Sequence, residues 1–175
     1  MRREQHDEEF TAFVEARRTT LLRTAYLLCG DWHRSEDLVQ QVLVRIYRAW
    51  PRIGSSGGAD AYVRRALVTA NIDRWRWHAR RPETLTATEP DSSYSPVHGV
   101  EDRALLQSAL MQLTASQRRV IVLRYWLDLS VEQTASDLGV SAGTVKSQTS
   151  RALARLRVAL PNDTTTTEAL PRSTK

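Results

Sequence analysis

Side chains that could act on a polyanion are concentrated between Gly143 and Arg157. Thr144, Lys146, Ser147, Gln148, Ser150, Arg151, Arg155 and Arg157 supply hydroxyl, amide and cationic donors, and no acid interrupts residues 142–160. Donors of these kinds suit the base edges and phosphates of duplex DNA. A helix that enters a groove needs a brace, and the preceding residues provide one. Ser130 reads as a helix cap with Gln133 returning the bond three residues later, Gly139 as the left-handed residue that ends that helix, and Ser141 as the cap of the next. Ala135 is small enough for two helices to cross steeply, and Leu138, Val140 and Val145 supply apolar contacts for the crossing. The pattern predicts a DNA-reading helix-turn-helix. The competing reading, a helical hairpin with a solvated basic face, leaves the coincidence of caps, Ala, Gly and apolar positions unexplained.

A second concentration lies in residues 62–81, which hold six Arg against one acid. Within it, Arg74, Trp75, Arg76 and Trp77 alternate cation and ring. Rings stack on unpaired bases while guanidinium groups hold phosphates, so the combination suits single-stranded DNA. Trp75 and Trp77 cannot face the same way on a helix, and either could instead be a packing residue. The net charge of +5 is modest but uneven, since Glu4, Asp7, Glu8, Glu9 and Glu15 make the start acidic. Patches therefore matter more than the sum.

Other chemistries find little support. Cys29 is the only cysteine, so no intrachain disulfide forms and a reducing compartment is the simplest setting. His6, His33, His78 and His98 lack zinc spacing, so neither a metal nor another cofactor is expected. An enzyme would need clustered carboxylates or an activated nucleophile; the nearest acidic cluster, Asp31, Glu36 and Asp37, is explained by placement at a helix start. The first residues lack the apolar core of a signal peptide, and no run approaches the ~20 apolar residues that span a bilayer. The expectation is a cytoplasmic protein with no membrane partner.

The elements that must position these groups are helical throughout, because no strand-like alternation of any length appears. Two small helical domains with a polar linker are predicted. In the first, Phe10, Phe13 and Val14 open an amphipathic helix that continues through Leu21, Leu22, Ala25, Tyr26 and Leu28 to Gly30. Ser35 is expected to cap a long helix with Glu36 and Asp37 in its first turn, and Pro51 to stop it. Its stripe of Leu38, Val39, Val42, Leu43, Ile46, Tyr47 and Trp50 leaves Asp37, Gln40 and Gln41 at an exposed edge. Residues 54–60 read as a flexible loop. A further helix from about Ala61 to Arg81 turns Val63, Ala66, Leu67, Ala70 and Trp77 to the core, and Pro82 ends it.

Residues 83–101, with Pro90 and Pro96 set among Thr, Ser, Asp and Gly, read as a linker. In the second domain, 102–160, Leu105, Leu106, Ala109, Leu110 and Leu113 make one helix and Ser116 caps another through Val120, Ile121, Leu123, Tyr125 and Trp126, ahead of the helix-turn-helix. The tail, 161–175, has no buried face to offer and is expected to be disordered.

Two motifs in this order resemble a known family. Asp37-Leu38-Val39-Gln40-Gln41-Val42 resembles the core-binding helix of bacterial RNA polymerase sigma factors, and Gly143-Thr144-Val145-Lys146-Ser147 the promoter-reading helix of the extracytoplasmic-function group. With Ala61-Tyr62-Val63-Arg64-Arg65, the chain is most similar to the actinobacterial SigE-like subfamily, from about Phe10 to Leu160. The resemblance implies that residues 7–82 are sigma region 2 and 102–160 region 4. It assigns Asp37, Gln40 and Gln41 to core RNA polymerase, whose largest-subunit clamp helices and flap would be partners.

It further implies −10 recognition and melting by Arg65, Thr69, Asn71, Asp73, Arg74, Trp75 and Arg76, with a flipped base captured near residues 54–58. Thr144, Lys146, Ser147, Gln148, Ser150, Arg151 and Arg155 would read the −35 element of promoter DNA, and an anti-sigma factor is an expected regulator. The chain departs from the family at Thr69, where Asn is frequent, at Gln41, where Glu is common, and at Gln148 and Thr149, where an Arg and an aliphatic residue are frequent. The rival is an autonomous helix-turn-helix regulator, which gives no role to the separate Arg- and Trp-rich helix.

Overall fold

The computed structural model describes residues 2–54, 58–79 and 100–160, and every element in them is helical. They form two compact units. The expected linker, the tail beyond residue 160, Pro82 and most of the expected loop at 54–58 lie outside the described residues.

The first unit has three helices: α1 (Arg2–Cys29), α2 (Trp32–Ile53) and α3 (Ala59–Ala79). Helix α1 begins well before Phe10 and ends where Gly30 takes φ 78°, with its N–H on the Tyr26 carbonyl at 2.8 Å. The cap of α2 is then Asp31 rather than Ser35. Asp31 is extended, with φ −136° and ψ 134°, and its carboxylate accepts from the Arg34 N–H at 2.7 Å. A carboxylate directly after the glycine satisfies an orphan N–H and opposes the helix dipole. Ser35 is already inside the first turn, buried, and donates to the Asp31 carbonyl at 2.6 Å. Glu36 and Asp37 consequently fall in the second turn.

Pro51 does not stop α2, which runs to Ile53. The missing proline N–H forfeits one bond near the end of the helix, and the turn still closes through the Gly54 N–H on the Trp50 carbonyl. Gly54 must lack a side chain: a Cβ there would meet the Trp50 ring at 2.9 Å.

The expected stripe of α2 is the centre of this unit. Leu38, Val39, Val42, Ile46 and Trp50 pack with Leu21 and Ala25 of α1 and with Ala59, Val63, Leu67 and Ala70 of α3. Full burial of each large aliphatic side chain contributes about 1.5–3 kcal/mol. Phe10 and Phe13 set their rings against Trp50, with centroids 5.4 and 4.8 Å away. The Tyr47 hydroxyl donates to Asp7 at 2.7 Å, so this stripe member is half turned out. Arg17 of α1 grips Asp60, in the first turn of α3, through Nε and Nη2, the latter at 2.7 Å. That fork raises the Arg17 pKa and lowers that of Asp60.

Trp77 departs from expectation. It is 50% exposed, because the core has no α3 member beyond Ala70 and the stripe continues past the layer that covers it.

The second unit begins with α4 (Val100–Met111). Helix α5 (Ala115–Ile121) follows, continued by a π-helical turn over Val122–Trp126 and then by α6 (Val131–Leu138) and α7 (Ala142–Ala159). Thr114, not Ser116, caps α5. Thr114 and Gln117 exchange backbone N–H bonds as a capping box at 3.2 and 3.3 Å, a pairing that only the residue three before a Gln can make, and Ser116 merely lies 3.2 Å from the Thr114 hydroxyl. Helices α4 and α5 both pack on α7. Ala109, Leu110, Leu113, Val120, Leu123, Val145, Ala152 and Leu156 are buried.

Candidate nucleic-acid and polymerase interfaces

The helix-turn-helix forms from the caps that the sequence supplies. The Ser130 N–H donates to Gln133 Oε1 at 2.8 Å and Gln133 N–H to Ser130 Oγ at 3.0 Å, completing the capping box of α6. Gly139 takes φ 64° in the turn, and Ser141, extended, accepts from the Thr144 N–H at 3.1 Å to start α7. Val145 is fully buried and Ala135 nearly so, which anchors both helices; Val140 is 40% exposed and contributes less to the crossing than its type suggested.

The −35 candidates do not form one patch. Val145, Ala152 and Leu156 set the inner side of α7. At about 100° per residue, Ser147 and Ser150 project nearly opposite that side, and Arg151 lies toward the flank of Thr144. Lys146 and Arg157 occupy one flank, and Thr144, Gln148 and Arg155 the other. Gln148 is half-buried and the rest are exposed.

Several of these groups are already engaged. The Thr144 and Ser141 hydroxyls share a bond of 2.9 Å, Ser147 Oγ donates to the Thr144 carbonyl at 3.0 Å, and Arg155 Nη1 donates to Gln117 Oε1 at 3.1 Å, tying α7 to the cap of α5. Arg155 is thus committed, whereas Lys146, Arg151 and Arg157 stand exposed. A helix presented this way could put its outermost residues on base edges and its flanks on the two phosphate backbones.

One functional candidate escaped the sequence reading. Arg124, on the π-helical turn, lines a cleft of about 370 Å³ with Lys146, Thr149, Ser150, Leu153 and Arg157. Its guanidinium also donates to the Leu129 carbonyl, which fixes it in place. Nothing in the local pattern marks Arg124, because its position beside α7 is a product of packing. The Glu132 charge bears on this group. Its own backbone N–H and the Ser130 hydroxyl hold its pKa below the ordinary range, with smaller attractions from Lys146 and Arg124.

On α3 of the first unit, the −10 candidates also divide. Arg65, Thr69, Asp73 and Arg76 repeat along one exposed stripe, as residues four, eight and eleven apart must. Trp75, 55% exposed, stands on the flank away from Trp77. Asn71 and Arg74 turn toward the core side and are half-buried. Asn71 Nδ2 donates to Cys29 Sγ at 3.6 Å, and Arg74 Nη2 lies 3.8 Å from Asp37 Oδ2.

Asp37, Gln40 and Gln41 are exposed on α2, as expected, and the same stripe continues through Val44, 53% exposed. Val44 was missed because it interrupts an apolar run, Val42-Leu43-Val44, whose other members face inward or sideways. Among the described residues no group of His, Cys, Asp or Glu could hold a metal ion, and no helix is long and apolar enough to cross a membrane.

These features coincide with known proteins. Residues 13–81 match the Sigma-70 region 2 family and residues 103–156 the Sigma-70, region 4 family. The RNA polymerase sigma-E factor of Streptomyces avermitilis is 43% identical over 166 residues, covering 94% of this chain and 92% of that protein. The ECF RNA polymerase sigma factor SigL of Mycobacterium tuberculosis is 34% identical, with 85% of this chain and 87% of that protein covered. Among solved structures, the sigma factor RpoE of Bartonella quintana, crystallised with the anti-sigma factor NepR, superposes with a TM-score of 0.75 at 25% identity, over 89% of this chain and 99% of that one. The helical fold, the order of the two units and this similarity over nearly the whole length together place the chain in the sigma-70 family of RNA polymerase sigma factors, in its extracytoplasmic-function, SigE-like group.

Proposed function

We propose that this protein binds core RNA polymerase and directs it to promoters, with no catalysis of its own, in the cytoplasm. In this reading α2 meets the polymerase clamp helices through Asp37, Gln40, Gln41 and Val44. Helix α3 engages the −10 element, with Trp75 stacking on an unpaired base and the outer stripe of Arg65, Thr69, Asp73 and Arg76 beside it. Helix α7 enters the major groove at −35, with Ser147 and Ser150 outermost and Lys146 and Arg151 on the two flanks. The boundaries follow the helices: a region 2 unit through α3 and a region 4 unit from α4.

The observation that carries the reading is the pairing of an acid-free α7, capped by Ser141, in one unit with the exposed Trp75 and Arg76 of α3 in the other. An autonomous repressor would need only the first. An anti-sigma partner follows by extension from the relative that was crystallised with one.

The test is reconstitution. Full-length protein mixed with core polymerase should yield discrete transcripts from a subset of genomic templates, and neither component alone should do so. Tight binding to a duplex without polymerase, combined with no transcript in its presence, would favour the autonomous regulator.

A further inference from the structure

The candidate polymerase edge and the candidate −10 helix share an ion pair. Asp37 is on the exposed stripe of α2, yet its Oδ2 lies 3.8 Å from Arg74 Nη2 on α3; the two side chains are 62% and 26% exposed. Arg74 projects toward the core side of α3, one turn beyond Ala70, so its guanidinium reaches the surface along α2 rather than away from the unit. Its neighbour on that flank, Asn71, is held in the same way by Cys29 of α1.

We propose that Asp37 and Arg74 form an exchange pair, each holding the other's charge in the free protein, so that polymerase binding at Asp37 releases Arg74 to a −10 phosphate. This inference rests on the assignment of α2 to polymerase and α3 to −10 DNA. A donor on polymerase facing Asp37 must displace Arg74, and a phosphate facing Arg74 must displace Asp37. Whichever ligand arrives first removes the internal competitor of the second. The two bindings are therefore positively coupled, and by linkage each strengthens the other by the same factor. For an exposed pair that factor is at most about five-fold, and salt should diminish it.

The experiment measures the affinity of the full-length protein for core polymerase without DNA at low ionic strength. Four chains are compared: unaltered, Arg74→Gln, Asp37→Asn and the double variant. Arg74→Gln should strengthen core binding by about two- to five-fold by freeing Asp37, and should have no effect when Asp37 is already Asn. The gain should fade as salt rises. Core affinity that is unchanged or weakened by Arg74→Gln alone overturns the exchange pair. So does an equal effect of Arg74→Gln in both backgrounds while Asp37→Asn weakens binding, a result that leaves the polymerase assignment standing. Core affinity indifferent to Asp37→Asn removes that assignment and the pair with it.

Discussion

Lys146 and Arg151 offer the most direct measurement of how α7 meets DNA. They are five residues apart, so they lie about 7.5 Å apart along the axis and about 140° around it. Such a pair flanks a groove-bound helix rather than sharing one contact. If each side chain neutralises one phosphate, replacing either with Ala lowers the slope of log affinity against log salt by about 0.9. Between 50 and 200 mM salt, a four-fold change, that difference amounts to about 3.5-fold in the affinity ratio for each contact. Because no partner is common to the two, the effects should add, to about 1.8 in the double variant.

Neither substitution touches the buried anchors Val145, Ala152 and Leu156, and both sites are exposed, so α7 should stay folded. The assay is fluorescence anisotropy of holoenzyme on a labelled promoter duplex that it transcribes, across a salt series. A loss of affinity at constant slope would move that side chain from phosphate to base edge. Unchanged affinity and slope in both folded variants would refute the placement of this face of α7 in the groove.

Trp75→Ala should slow promoter opening on a linear template by about ten-fold, since stacking on one base contributes about 1–3 kcal/mol, and a template mismatched across the −10 region should recover part of the loss. Permanganate reactivity of −10 thymines over time reads this, and normal opening would make Trp75 a bystander. Asp60→Asn should cost about 0.2–1 kcal/mol at neutral pH, within the range of an exposed pair. Arg17 holds the Asp60 pKa below its ordinary 3.8, so this contribution is full above that value and is lost as pH falls through the folded value. Denaturant titrations of the two chains should therefore converge as pH falls through the lowered Asp60 value; a constant gap would contradict the fork. Gly139→Ala should destabilise the helix-turn-helix by about 1–2 kcal/mol in a thermal melt, because the position has φ 64° while a Cβ there meets nothing within 4 Å. No change would mean that the turn relaxes without cost.

What the sequence determined by itself is the part governed by contacts within a few residues. The capping box of Ser130 and Gln133, the Ser141 cap, the left-handed Gly139 and the inward stripe of α2 formed as their spacing required, since each depends on a helix and its own next turn. Two caps were misread, at Ser35 and Ser116, where Asp31 and Thr114 were within reach of the same local rules: the residue after a left-handed Gly, and the residue three before a Gln. The acid-free run of α7 and the Asp37 motif likewise mark the family at the level of sequence.

The tertiary structure decided which element lies against each stripe. Periodicity gives the direction of Trp77 on α3 but not that the core ends at Ala70, nor that Arg155 would meet the cap of another helix. It could not bring Arg124 beside Lys146 or Arg74 beside Asp37, because those distances depend on how separate helices pack, and packing is set by the summed shapes of side chains far apart in the chain.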